Sequence, residues 1–319
     1  APDALVLRPA PDPDDPSGLP AIVMDPFLAA KLRPHQVEGV KFLYNALMGV
    51  KDASGAPNGL GRGSLLADDM GLGKTLQTIA IIYTMLSQPS RNKPEANNAI
   101  VICPTSLCWN WKAEVDKWLG EGRLKPTVVT SEMKKDTCKM MLSTFCNTPR
   151  GALLIVSYET AAIHVDLLKT HKYGLIVCDE AHRLKNPKTK LYDRLSMIDA
   201  KMRIMVTGTP IQNDLDEFYS LLNFAIPNCL GDRKAFDNKY GKPILRSRDK
   251  ECTDRELEVG QKASAAFFAL IKQIMLRRTN EVIAKYLPAK LDCCVFITLT
   301  GEQQEMYSKV VEEGRKKYD

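Results

Sequence analysis

The sequence predicts an α/β fold, a mostly parallel sheet flanked by helices and interrupted by one helical insertion. Short apolar, β-rich runs alternate with helix-patterned stretches, the order expected of βαβ units. Several runs are continuously apolar, as in strands that helices cover on both faces. Between residues 216 and 290 the strand-like runs stop and helical patterns take over.

In chain order, residues 1–23 are rich in Pro and Asp and read as an extended linker, because proline can neither continue a helix nor serve a central strand. A lobe over 24–215 follows. Its expected strands are Ser64 to Ala67, Ile100 to Cys103, Thr127 to Thr130, Leu153 to Ser157, Leu175 to Cys178 and Ile204 to Thr207. Helical spacing in Phe218-Leu221-Leu222-Ala225 and Phe267-Leu270-Ile271-Ile274 defines the insertion at 216–290. Residues 291–319 are expected to give a last strand, Cys294 to Thr298, and the start of a link to a further lobe. The charged amphipathic end reads as a piece of something longer.

The hydrophobic fraction of 45% and charged fraction of 26% are those of a globular chain, which excludes disorder as the default. A net charge of +6 permits a polyanionic partner without demanding one. The cysteines form no C-x-x-C pair, so reduced, buried thiols are expected rather than a metal site. No apolar run approaches a membrane span and the start is not signal-like, so a membrane or secretory setting is not expected.

The chemistry lies in two stretches. The strand Ser64 to Ala67 feeds a turn, Asp68-Asp69-Met70-Gly71-Leu72-Gly73, and then a helix opening at Lys74-Thr75. The glycines let backbone N–H groups converge on phosphates, and the helix N-terminus adds its positive end. Lys74 would neutralise the β/γ-phosphates and Thr75 would ligate Mg²⁺. The strict phosphate-loop pattern has Gly where this chain has Asp68. The second stretch is Leu175 to Cys178, which delivers Asp179 and Glu180 at a strand end, where open α/β sheets bind ligands. Asp179 would hold Mg²⁺ through water and Glu180 would orient and deprotonate the attacking water. Alone, an acidic pair after a strand is ordinarily a helix N-terminus with favourable dipole charges. The phosphate loop makes it an expected nucleotide-triphosphate site with Mg²⁺; that the nucleotide is ATP is what the resemblance below implies.

Asp179-Glu180-Ala181-His182, the phosphate loop, and Thr207-Gly208-Thr209-Pro210-Ile211-Gln212-Asn213 together resemble the first RecA-like lobe of the superfamily-two helicases. Within them the chain is similar to the Snf family of double-stranded DNA translocases, nearest the Rad-fifty-four class. The resemblance implies adenine recognition by Gln36, within Leu32 to Gly39. It implies a catalytic part for Gln212, and coupling of phosphate state to the DNA face by His182, Thr207, Gly208 and Thr209. Pro104, Thr105 and Ser106, Ser157 and Tyr158, and Lys185 and Asn186 sit in loops after strands. Their hydroxyls, amides and cations suit phosphate-backbone contacts that position DNA without reading sequence. Trp109, Trp111 and Trp118 have helical spacing and read as packing residues, while His35 carries no functional expectation. Arg277 and Arg278 read equally as partners of acidic residues inside the insertion or of DNA.

The function so implied is the ATP-binding lobe of a DNA-dependent ATPase. It would translocate on double-stranded DNA and remodel protein–DNA complexes, in homologous-recombination repair within the nucleus. The implied partners are duplex DNA, a strand-exchange recombinase filament, nucleosomes as a further candidate, and a second RecA-like lobe in the same full-length chain. The alternatives are an RNA/DNA helicase of the same superfamily and a non-catalytic, ATP-gated nucleic-acid-binding module.

Overall fold

The computed structural model describes residues 4–9, 20–49, 62–90, 93–94, 96–148, 151–208, 215–288 and 291–316. They divide into two compact units, 1–282 and 283–319.

The first unit opens with β1 (Val6–Arg8) paired antiparallel to β2 (Ile22–Val23). Leu7 and Ile22 are buried. The expectation of an extended linker over 1–23 is therefore corrected at both ends: enough apolar side chains flank the prolines to anchor a short ribbon. Helices α1 (Pro26–Ala29) and α2 (Pro34–Met48) follow, each opened by a proline whose missing N–H costs nothing in a first turn. Then come β3 (Gly63–Leu66), α3 (Lys74–Ser87), the small ribbon β4 (Pro89–Ser90) and β5 (Lys93–Pro94), and β6 (Asn98–Cys103). The chain continues through α4 (Cys108–Leu119), β7 (Thr127–Val129), α5 (Lys135–Asn147), β8 (Ala152–Ser157), α6 (Tyr158–Ile163) and α7 (Val165–Leu168). Next are β9 (Lys172–Asp179), α8 (Lys190–Ser196) and β10 (Asp199–Val206).

The insertion supplies α9 (Leu215–Ala225), α10 (Arg233–Phe236), α11 (Lys242–Arg246) and α12 (Asp254–Ile274). The chain then returns to the sheet as β11 (Met275–Leu276). The last helix, α13 (Gly301–Arg315), lies in the second unit and opens on a capping box between Thr300 and Gln303.

Among the described residues the main sheet has seven strands in the order β11-β3-β10-β9-β6-β8-β7, and every pairing is parallel. Strand residues alternate between two apolar clusters. Ile100, Ile102, Leu154, Val156 and Ile176 face one; Val101, Cys103, Leu153, Ile155 and Val177 face the other. The first cluster is closed by α5 to α12 and the second by α1 to α4. Burial on both faces is why these strands read as unbroken apolar runs.

One expected strand is absent. Residues 291–300, including Cys294 to Thr298, form no strand, and the place beside β3 belongs to Met275–Leu276. The pattern at 294–298 is strand-like, but a strand requires a partner, and the edge is taken by two residues too few to show a period. All nine cysteines are free, but only Cys103, Cys108, Cys138 and Cys178 are buried; Cys146, Cys229 and Cys252 are half-buried, and Cys293 and Cys294 are exposed.

Gly63 at the start of β3 lies under the end of α9, where an added Cβ would stand 2.4 Å from the Ala225 carbonyl oxygen. Gly63→Ala is expected to lower unfolding free energy by about 1–3 kcal/mol through overpacking against backbone, read by chemical denaturation.

Candidate active site

Strand β10 lies between β3 and β9, and Val206 is in register with both Leu66 and Asp179. Three strand ends therefore open side by side: the phosphate loop after β3, the acidic box at the end of β9, and Thr207-Gly208 after β10. Ligands of open α/β sheets bind at such carboxyl ends.

The loop is built by local chemistry. Gly71 and Gly73 adopt φ of +87° and +77°, values that cost a side-chain-bearing residue about 1–2 kcal/mol. A Cβ on Gly73 would also stand 2.2 Å from Gln36 Nε2. Gly73 caps α3, so Lys74 and Thr75 occupy the first turn, whose N–H groups have no helical acceptors. Lys74 Nζ donates to the carbonyls of Asp68 at 2.7 Å and Asp69 at 3.0 Å. Burial pushes the Lys74 ammonium down from its ordinary pKa, against the attraction of Asp68, Glu180, Asp179 and Asp69. Met70 projects outward, and a Cβ on Gly208 would lie 3.2 Å from Lys74 Nζ. Gly208 is thus part of the wall of the loop.

The Leu72 carbonyl accepts from Gln36 Nε2 and from Gln77 Nε2, each at 3.3 Å, and His35 Nε2 lies 3.2 Å from it. Gln36 Oε1 also accepts the Arg33 N–H at 2.9 Å. Gln36 therefore braces the loop from α2, and buried His35, which carried no expectation, joins it.

The residue standing in place of glycine explains the departure from the usual pattern. Asp68 is fully buried and accepts from Arg278 Nε at 3.1 Å and Nη2 at 2.5 Å. Arg278 also donates to Gln77 Oε1 at 3.0 Å and to the His35 carbonyl. The chain beyond β11 extends this contact: Asp69 N–H donates to the Arg278 carbonyl at 2.9 Å, and Asn280 N–H to Asp69 Oδ2 at 3.2 Å. Of the two open readings for Arg278, the acid partner is the one formed, though in the phosphate loop rather than within the insertion.

Across the cleft, Asp179 Oδ2 accepts the Trp111 indole N–H at 2.7 Å and Oδ1 accepts the Glu180 N–H at 3.0 Å. Burial pushes the Asp179 carboxyl up; the Trp111 hydrogen bond opposes this and the Glu180 charge adds to it. Glu180 has φ 51° and ψ 49°, a left-handed conformation rare for a residue with a side chain. His182 Nδ1 lies 3.2 Å from Glu180 Oε2 but off hydrogen-bonding geometry.

The candidate DNA contacts separate into two groups. Ser106, Lys185 and Asn186 are exposed, and Pro104 and Thr105 are half-buried. Lys185 pairs with Glu217 at 2.7 Å. Ser157 and Tyr158 are buried, which corrects the expectation that their hydroxyls face a phosphate backbone. Ser157 caps α6 and donates to Thr160 at 2.7 Å, and Tyr158 OH donates to the Asp179 carbonyl at 2.8 Å. Between the loops, Glu159 accepts from Arg183 at 2.6 Å and from Thr105 at 3.4 Å. Thr209 and Gln212 lie outside the described residues, while Thr207 is buried, its N–H donating to the Leu66 carbonyl at 3.0 Å. Trp109 is exposed rather than packed.

The donor set fits a nucleotide with its magnesium. Among the described residues no cluster of His, Cys, Asp and Glu could hold a metal by itself. Magnesium is ordinarily held by one or two carboxylates together with substrate phosphates. Asp179 and Thr75 would be the protein's share, beside the open N–H groups of α3 and the Lys74 ammonium.

Comparison with known proteins accords with this arrangement. The family model described as the SNF2-related domain matches residues 35–318. The chain is 40% identical over 296 residues to the DNA repair protein rhp54 of Schizosaccharomyces pombe, covering 91% of this chain and 34% of that protein. It is 39% identical over 299 residues to the DNA repair and recombination protein RAD54-like of Mus musculus, covering 92% of this chain and 39% of that one. It therefore spans well under half the length of these relatives. Among solved structures, the Sulfolobus solfataricus SWI2/SNF2 ATPase core in complex with dsDNA superposes with a TM-score of 0.59 at 32% identity, over 89% of this chain and 52% of that one.

Arg278→Ala leaves a desolvated carboxylate without its partner and is expected to cost about 3–5 kcal/mol in chemical denaturation. Adding Asp68→Asn should recover most of that loss. Arg278→Lys should not, since an ammonium cannot reproduce the two-pronged contact. A pH series tests Glu159. Burial pushes its carboxyl up, but the hydrogen bond from Arg183 and the further contacts outweigh this and hold it below the ordinary range. The stability that wild type holds over Glu159→Gln should be present at neutral pH and vanish as pH falls through that lowered value.

Proposed function

Because the chain belongs to the family of SNF2-related domains, we propose that it is the ATP-binding lobe of a DNA-dependent ATPase that translocates on double-stranded DNA. The observation that carries this reading is the side-by-side opening of the phosphate loop, Asp179-Glu180 and Thr207-Gly208 at the ends of β3, β9 and β10. In this reading nucleotide binding, water activation and a phosphate-sensing turn would share one cleft.

In this reading Lys74 exchanges its two carbonyl acceptors for the β/γ-phosphates, and the first turn of α3 receives phosphate oxygens on its N–H groups. Asp179 and Thr75 would hold a magnesium ion bound with the nucleotide, which would supply charge neutralisation of the transferred phosphoryl group. Glu180, beside Asp179, takes the proton of the attacking water. Gly208 against Lys74 relays phosphate state to β10. Stabilisation of the transition state by an arginine finger is worth about 10³–10⁵ in kcat; we assign that arginine to a second RecA-like lobe of the full-length protein.

The edge formed by half-buried Pro104 and Thr105 and exposed Ser106, Lys185 and Asn186 is the proposed track for a DNA backbone, a contact that positions without reading sequence. A place in homologous-recombination repair in the nucleus, with a recombinase filament or nucleosomes as protein partners, is proposed from the likeness to the two repair proteins. No helix among the described residues is long and apolar enough to cross a membrane.

In the full-length protein, Lys74→Ala and Glu180→Gln should each lower DNA-stimulated ATP turnover by about 10²–10⁴-fold while duplex DNA binding persists. Normal translocation by either variant would refute the assigned roles. Turnover with duplex DNA, single-stranded DNA and RNA tests the substrate: duplex DNA should stimulate most, and stimulation by RNA would favour the helicase alternative. The 319-residue chain alone should bind the nucleotide and hydrolyse it poorly.

A further inference from the structure

Trp111 is 1% exposed and packs in the apolar cluster beneath α1 to α4. Its only polar atom, Nε1–H, does not serve that cluster: it reaches across to Asp179 Oδ2 at 2.7 Å. The other carboxylate oxygen accepts the Glu180 N–H at 3.0 Å. The Asp179 carboxylate is therefore held from two directions, by a backbone donor of its own strand end and by an indole from α4. An indole nitrogen only donates, so it always presents a proton to the carboxylate and leaves each oxygen acceptor capacity on its open side. Trp111 also lies in the first turn of α4, immediately after the Thr105–Leu107 turn at the exposed edge.

We infer that Trp111 is a positioning residue for magnesium, fixing the Asp179 carboxylate at the orientation in which it holds the metal's water. The inference rests on the reading of Asp179 as the metal-side carboxylate. Outer partners of ligating groups typically change metal affinity or activity by about 10–100-fold when removed. For a carboxylate acting through water the lower end is expected. A tryptophan that only packs would, when replaced, weaken the fold and nucleotide binding alike, whether or not metal is present.

The test is a titration of this chain with a fluorescent ATP analogue, in excess Mg²⁺ and in EDTA, for wild type, Trp111→Phe and Asp179→Asn. Wild type should bind more tightly with Mg²⁺. Trp111→Phe should lose about tenfold of that metal-dependent gain, with its affinity in EDTA within about twofold of wild type. A gain that Asp179→Asn abolishes and Trp111→Phe retains would overturn this inference alone. So would an equal loss by Trp111→Phe in both buffers. A wild-type gain untouched by Asp179→Asn would overturn the reading of Asp179, and this inference with it. A second readout needs no variant at position 111. The indole N–H resonance that survives in Trp109→Phe/Trp118→Phe should shift on adding the analogue with Mg²⁺ but not with EDTA. An unmoved resonance overturns the inference even where Trp111→Phe fails to fold.

Discussion

The ion pair between Asp68 and Arg278 joins positions 210 residues apart in the chain, and the phosphate loop depends on it. Asp68 is fully buried and its partner is 11% exposed on the side chain, so neither charge is stabilised by bulk water. Such a pair is tolerated only when the attraction is supplemented by further hydrogen bonds, and Arg278 makes them to Gln77 and the His35 carbonyl. The cost of bringing together ends so far apart grows only with the logarithm of the loop length, so a long helical excursion between them is affordable. What the excursion must do is return, and β11 places it beside β3 in parallel register. The helices of the insertion thus run from α9 to α12 and end where β11 returns the chain to the edge of the sheet, next to the loop after β3.

From that pair the support spreads through neighbours. Gln77 on α3 touches Asp68, Arg278 and the Leu72 carbonyl; Gln36 and His35 on α2 reach the same carbonyl. Three side chains from two helices therefore converge on one peptide group in the middle of the loop. A glycine-rich turn has high conformational freedom when unfolded, and fixing one of its carbonyls from several sides narrows the states open to it before any nucleotide arrives. Preorganisation of this kind reduces the ordering cost of binding.

Much of this architecture is legible in the sequence, for a physical reason. Strands buried on both faces must be apolar at successive positions, so Ile100 to Cys103 and Leu175 to Cys178 stand out, and glycines before Lys74 announce a turn that needs positive φ. What is not legible depends on partners rather than on pattern. Met275–Leu276 is too short to show a period, whereas Cys294 to Thr298 shows one and forms no strand among the described residues. Ser157 and Tyr158 follow a strand just as surface residues do, yet the serine caps a helix and the tyrosine turns inward to Asp179. Trp111 is packed, as its helical spacing suggests, but spacing says nothing about where its indole N–H points. Asp68 did carry a signal: an acid where a glycine is usual, beside fully apolar strand residues, requires a buried cation. The sequence offered Arg277 and Arg278, and only the fold distinguishes them.

The electrostatics of the cleft favour exchange over mere accommodation. Lys74 stands among Asp68, Glu180, Asp179 and Asp69, but among the described residues its hydrogen bonds go to two neutral carbonyls, those of Asp68 and Asp69. Those bonds are charge-assisted from the donor side only, whereas a phosphate oxygen adds the attraction of an opposite charge, so a phosphate within reach competes successfully for the ammonium. The Asp68 side chain cannot take part in that competition, because Arg278 and Gln77 already occupy it. With its carboxylate neutralised from behind, the loop faces the cleft with a lysine and the N–H groups of a helix end, a surface that draws in an anion. Across the cleft, Asp179 and Glu180 repel that anion unless a divalent cation accompanies it. On the proposed reading the two sides would therefore favour the same ligand, a polyphosphate carrying its metal.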